Sequence, residues 1–277
     1  MNIGKYCEMF DSDMRLKNYS EQTRKNYVSQ IRVFLKHFEG KASKPSEISE
    51  NDIKTWLLTA KCINSMSHMH SAIKLFYKLT GKQPLKLRNI EYPRKEKKLP
   101  QVLSVEEVQA MFNVCTNLKH KAILSLLYST GMRLGDLLSL KWESIDRSRM
   151  VILIKNGKGF KDRIVPLAPP LLSLLEKYWK MYKSKDYVIE GEKGGMYSGT
   201  SVNNVLKQLA FKAGIKKKVW AHQMRHNAFT HMAERGIDIN RIQKIAGHRS
   251  PKTTQIYTHL SAASISTIDS PLNHISL

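Results

Sequence analysis

The chain has 277 residues, with 46 Lys and Arg against 23 Asp and Glu, a formal charge of +23 and a pI near 9.9. That length supports one large domain or two modest ones; the charge excess runs along both halves, so a polyanion, nucleic acid first, is the expected partner, with general solubility as the bland alternative. Cys7, Cys62 and Cys115 are too few and too scattered for a disulfide framework or a cysteine zinc site, and no signal peptide or membrane-length apolar run is visible, which together predict an intracellular protein.

Residues 20–38 predict a helix, with Ser20 as N-cap and Tyr27, Ile31, Phe34, Leu35 and Phe38 as its apolar stripe. A second helix is expected after Ser49, and a third over 65–79, stopping at Gly81. Successive amphipathic helices without strand alternation describe a small helical domain over 1–90. Residues 91–101 (EYPRKEKKLPQ) have little to bury and read as a basic interdomain linker. Its Lys95, Lys97 and Lys98 either lie along a phosphate backbone or are simply solvated.

A second domain is expected over 102–259, opening on the capping box Ser104-Val105-Glu106-Glu107. Next come a helix closed by Gly131 and a short one presenting Arg133 on its first turn. Residues 150–154 and 163–167 read as strands around a polar turn that carries Lys158. Helices follow over about 169–182 and 201–213, and Lys216, Lys217 and Lys218 stand just beyond. No internal repeat or low-complexity run is visible.

Residues 221–259 hold the chemistry-bearing groups His222, Arg225, His248 and Tyr257. His222 and Arg225 are three apart in a segment with helical apolar spacing, so both can face one cleft. A nucleophilic phenol needs an electrophilic, anionic centre, and a phosphodiester suits a basic protein. Guanidiniums from Arg133 and Arg225, with an imidazole from His248, are groups suited to stabilise the charge of a pentavalent phosphate. Lys158 is a candidate general acid for the departing 5′-oxygen, and His222 can take the phenolic proton or hold a phosphate oxygen.

Each residue has a plainer reading alone. Arg133 can bridge Asp136 at the surface, Lys158 can be solvated and Tyr257 can be core. The histidines (His222 and His226 with His231 or His248) can bind zinc, although the H-E-x-x-H arrangement is missing. No carboxylate pair suited to Mg²⁺ and no G-x-x-x-x-G-K-[ST] loop is present.

YSTGMRLGDLLSL, NGKGFKDRIVPL, AHQMRHNAFTHMAERG and IAGHRSPKTTQIYTHL together resemble the tyrosine recombinase (phage integrase) family over nearly the whole chain. The resemblance implies a mainly α fold with a small β-hairpin or sheet: a helical SAM-like core-binding domain, then a mixed α/β catalytic domain of the DNA breaking-rejoining fold. Position by position, Arg133 looks like the first catalytic arginine and Lys158 like the general acid. His222 and Arg225 match the His-x-x-Arg pair, His248 the following histidine and Tyr257 the nucleophile. Asp136 stands where relatives often have Glu, and with His226 it is expected to support the site. Lys161, Arg163, Lys216, Lys217, Lys218 and the linker lysines Lys95, Lys97 and Lys98 are the expected DNA contacts.

The resemblance further implies a clamp on a double-stranded recombination site and a 3′-phosphotyrosyl intermediate, with no metal, nucleotide or other cofactor. Four protomers on two duplexes would exchange strands through a Holliday junction, with a monomer or dimer expected without DNA and an accessory or directionality factor allowed. The tail 260–277 either docks on a neighbouring protomer through Ile265, Ile268 and Leu272, folds back, or stays disordered. The setting expected is the cytoplasm, on a bacterial, phage or mobile-element DNA site, away from membranes. Type IB topoisomerase-like relaxation and non-catalytic DNA binding are the competing functions.

Overall fold

Apolar residues at helical spacing and well-specified caps decide most of the architecture. The computed structural model describes residues 1–84, 86–93, 101–157, 161–192, 194–248, 250 and 253–255. The chain divides into two compact units, Met1–Lys98 and Leu99–Leu277.

The first unit is built from helices α1 (Ile3–Leu16), α2 (Glu21–His37), α3 (Glu50–Leu58) and α4 (Ile63–Leu79). Helix α1 adds to the helices read from the sequence. Asn2 caps it, and Cys7, Phe10 and Met14, three and four residues apart, form its buried stripe. Ser20 caps α2, and Ser49 caps α3 in a reciprocal box with Asp52. The core is aromatic: Phe34 meets Trp56 edge-on at 5.0 Å and Phe10 meets Phe76 at 5.5 Å. Tyr77 is buried, and its hydroxyl donates to the Pro45 carbonyl at 2.8 Å, which satisfies the polar end of an otherwise apolar ring.

The second unit begins with α5 (Val105–Asn113), opened by the reciprocal Ser104–Glu107 capping box. Helix α6 (Leu118–Thr130) is its centre. Ala122, Ile123, Leu124, Leu126 and Leu127 are all buried, and a helix apolar on nearly every side must be enclosed by others. It packs against α8 (Pro169–Tyr182), α9 (Gly199–Lys212) and α10 (Ala221–Glu234). Strands β1 (Ile145–Asp146), β2 (Val151–Gly157) and β3 (Lys161–Pro166) form an antiparallel sheet in that order. Ile152 and Val165 pair across it and face the core. The short β1 joins the two strands legible in the sequence.

Two short helices complete the frame. Helix α7 (Leu134–Ser139) has Arg133 at its N-cap, one position before the first turn. Helix α11 (Ile239–Ala246) is capped by Asp238 and ends at Gly247, whose φ of +61° is left-handed. The whole is mainly α with one small sheet, the fold class read from the sequence. Among the described residues no helix is long and apolar enough to cross a membrane.

Candidate active site

Helix α10 carries an unusual interior for a buried helix: Gln223, Arg225, Asn227, Thr230 and His231 are buried along with its apolar residues. Buried polar groups need partners. Asn227 Oδ1 accepts the Leu103 N–H at 3.1 Å, and Gln223 donates to the Gln101 carbonyl. His231 Nε2 lies 2.9 Å from the Leu103 carbonyl and its Nδ1 2.8 Å from the Tyr128 hydroxyl. One face of α10 is thus stitched to the start of the unit. The other aims Arg225 at the ends of α6 and α11.

Arg225 is 1% exposed. Its Nη1 donates to the Gly131 carbonyl at 2.5 Å and its Nη2 to the Ala246 carbonyl at 2.6 Å, so one planar guanidinium ties together the C-terminal ends of two helices. A helix end presents orphan carbonyls, and a cation there is favoured by the dipole as well. Gly131 permits this approach. Its φ is +60°, and a Cβ on it would lie 2.5 Å from the Phe229 ring. The Arg225 guanidinium also stacks 4.7 Å above Phe229.

His248 follows directly from α11. Its Nε2 is 3.1 Å from Arg225 Nη2 and its Nδ1 is 2.9 Å from Thr254 Oγ1. Because a guanidinium only donates, Nε2 accepts, which leaves the imidazole proton on Nδ1 and directed at the threonine. Arg133 reaches the same place from α7, its Nη2 donating to the Gly247 carbonyl at 3.3 Å. Arg133, Arg225 and His248 therefore converge on the turn 246–248. His222, solvent-accessible as a residue but with its ring against that of His226, stands one helical turn away, the two rings 4.4 Å apart and edge-on.

This crowd of cations discourages further positive charge. Burial, then His222 and Arg225, lowers the His226 pKa to about 4. Burial, then Arg225 and Arg133, takes His248 to about 4 as well. Desolvation and the same two guanidiniums lower His222. The folded chain thus resists protonation between about pH 6.5 and pH 4, where unfolded histidines accept it. Stability from these groups is complete above that window and lost as pH falls through it. The melting temperature is expected to drop on acidification from pH 7 to pH 4, and to drop less in His226→Gln. An unchanged pH slope in that variant would assign the effect elsewhere.

Other positions singled out in the sequence fall differently. Lys158, Tyr257, Lys95, Lys97 and Lys98 lie outside the described residues, as does the Lys161 side chain. Lys216 and Lys218 are exposed, whereas Lys217 donates to Glu107 at 2.7 Å and to the Val102 carbonyl at 3.0 Å. Its ammonium holds the capping carboxylate of α5 in place and is not simply presented to solvent.

Arg163 departs most from the expected DNA contact. It is 9% exposed and ion-paired to the buried Asp136. The reason is strand parity: Arg163 shares its inward face with Val165, while Ile164 points outward. Asp136 itself accepts the Arg133 N–H at 2.9 Å, which replaces the expected surface bridge with a buried one. Thr254, buried and bonded to His248, was not legible, because nothing in its spacing distinguishes it from Thr253. Among the described residues no three His, Cys, Asp or Glu side chains gather as a metal site.

A helical unit followed by an α-rich unit with a small antiparallel sheet, whose arginines and histidine meet at three helix ends, has the architecture of DNA breaking-and-rejoining proteins. Comparison with known proteins makes the assignment narrower. The phage integrase family pattern matches residues 101–264, and the phage integrase N-terminal SAM-like domain matches residues 7–87. A putative integrase/recombinase, y4qK of Sinorhizobium fredii, is 33% identical over 95% of this chain and 87% of its own. Tyrosine recombinase XerA of Pyrococcus furiosus is 35% identical over 92% and 89%.

Among solved structures, XerA recombinase matches over 100% of both chains with 30% identity and a TM-score of 0.58. The XerH site-specific recombinase bound to a palindromic difH substrate covers 97% of this chain and 85% of its own, at 20% identity and a TM-score of 0.74, a likeness of fold. The chain belongs to the phage integrase family of site-specific tyrosine recombinases, enzymes that cleave and rejoin DNA.

Proposed function

We propose that the chain exchanges strands between two copies of a double-stranded recombination site, with Tyr257 as nucleophile. The phenolic oxygen attacks the backbone phosphorus and displaces the 5′-oxygen, giving a 3′-phosphotyrosyl link and a free 5′-hydroxyl. Attack by the partner duplex's 5′-hydroxyl reverses the step on the new strand. The bond energy is conserved in the link, and no cofactor is required. Arg133 and Arg225 hold the non-bridging oxygens, on which negative charge grows toward the transition state, and His248 joins them as a donor once its proton moves from Nδ1 to Nε2. Lys158 protonates the leaving oxygen, and His222 takes the phenolic proton or contacts a phosphate oxygen. Asp136 and His226 support these groups from behind.

The observation that carries this reading is the convergence of Arg133, Arg225 and His248 on the three residues 246–248. A guanidinium pair and an imidazole gathered on helix ends bring the charge-stabilising groups to one place before DNA arrives. Residues 1–90 supply the core-binding unit, 91–101 the linker, 102–259 the catalytic unit and 260–277 a C-terminal tail. Exposed Lys216 and Lys218 are retained as phosphate contacts. A lambda integrase tetramer has been solved on a Holliday junction. The same assembly on two duplexes suits the chemistry here, which needs one 5′-hydroxyl from each partner, and the place of action is the cytoplasm.

The test is covalent capture followed by product analysis. A pool of nicked random-sequence duplexes is incubated with the protein, and DNA retained covalently after denaturation is sequenced to find the site. Two differently marked duplexes bearing that site are then expected to yield exchanged products. Relaxation of a supercoiled circle with no exchange would favour the topoisomerase-like alternative, and no covalent DNA at all would overturn the reading.

A further inference from the structure

Arg163 lies on β3, opposite Ile154 in the sheet register, and its guanidinium is turned away from solvent. Its Nη2 pairs with the Asp136 carboxylate, and its Nε donates to the Ile245 carbonyl at 3.0 Å. The same Asp136 oxygen accepts the Arg133 backbone N–H at 2.9 Å. The Arg133 side chain returns to the Gly247 carbonyl, two residues beyond Ile245. These bonds make a closed circuit: Arg133 to Asp136, to Arg163, to the end of α11, and back to Arg133. Gly247 packs directly on the Arg163 stem, where a Cβ would lie 2.9 Å from Cδ. His248 is the next residue.

We propose that Arg163 is a positioning residue for recombination, setting the end of α11, and with it His248, in register with Arg133. This rests on the function proposed above. A flat guanidinium can bind a carboxylate and a carbonyl through separate N–H groups at fixed angles, whereas a lysine ammonium has no such fork. Arg163 also draws β3, the strand paired with β2 (Val151–Gly157), into the same circuit. Elements from three places in the chain are thereby fixed to one another before DNA arrives. Groups that act on transition-state charge lose much of their effect when displaced by about 1 Å, so breaking the circuit slows cleavage without removing a DNA contact.

The experiment compares wild type, Arg163→Lys, Arg163→Met and the paired variant Asp136→Asn/Arg163→Met on the captured nicked duplex. It measures the rate of covalent adduct formation, duplex Kd at several salt concentrations, and melting temperature. Arg163→Met is expected to form adduct on the order of 100-fold more slowly, with Kd and its salt dependence unchanged. Arg163→Lys is expected to recover part of the rate.

The paired variant removes both buried charges, and the amide introduced by Asp136→Asn retains an oxygen for the Arg133 N–H. Exchanging a buried ion pair for neutral groups commonly restores stability, so its melting temperature is expected to approach wild type while adduct formation stays slow. It carries the comparison if Arg163→Met alone does not fold. Recovery of both stability and rate in the paired variant would make Arg163 merely structural and overturn the proposal. A wild-type rate in Arg163→Met, or a weakened Kd with a flatter salt dependence, which marks a phosphate contact, would overturn it too. If wild type itself forms no adduct, the function proposed above falls and this inference with it.

Discussion

Tyr257→Phe is expected to abolish the covalent protein–DNA adduct, a loss of at least ~10⁴-fold given how steeply activity falls when a nucleophile is removed. The substitution deletes one oxygen and keeps the ring, so packing around the position changes little. Affinity for the duplex should stay within about twofold, because binding is dominated by counterion release to a chain carrying 46 Lys and Arg. Denaturing gels read the adduct and filter binding at fixed salt reads the affinity. Retention of the adduct in the variant would show that another residue attacks the phosphate. Mixing Tyr257→Phe with an arginine-deficient variant then asks where the tyrosine acts: recovered cleavage means a tyrosine donated between protomers, and continued silence means one acting within its own chain.

The features legible in the sequence are those written in a few adjacent residues. The Ser104–Glu107 box declares itself at four positions and forms as read. Gly131 closes α6 where the apolar run stops. The His222/Arg225 spacing foretold a helix there, and α10 supplies it. What the sequence hid depends on parity or on distance along the chain.

Arg163 looks like a hairpin-surface cation until Val165 and Leu167, both buried, are counted with it on one face. The exposed Ile164, 48% accessible, misleads in the opposite direction. The ion pair that holds Lys217, an expected DNA contact, is hidden for another reason. The partner Glu107 lies 110 residues earlier, beyond anything local spacing can signal. Likewise, Arg225 could be recognised as a cation for phosphate, but not as the bolt between two helix ends, since the groups it joins there, at Gly131 and Ala246, are backbone carbonyls, which every residue carries.

That second duty makes Arg225→Ala the other large effect, and it separates into two measurable parts. Truncation removes the donors that serve the buried Gly131 and Ala246 carbonyls. An unsatisfied buried acceptor costs about 1–3 kcal/mol, so the pair should lower stability by roughly 2–4 kcal/mol after partial relaxation, or about 5–15 °C in Tm for a unit of this size. Cleavage measured well below that lowered Tm isolates the chemical part. There the loss is expected to be ~100-fold or more, because the guanidinium faces charge that peaks in the transition state. Arg225→Lys sharpens the comparison: it keeps a positive charge but cannot serve two carbonyls and a phosphate from one plane. It should regain part of the stability and little of the rate. If Arg225→Lys instead cleaves like wild type, charge alone suffices and the helix-bridging geometry has no part in catalysis. If Arg225→Ala melts like wild type, the two carbonyls have found other donors and the buried bridge is not what holds α6 and α11 together.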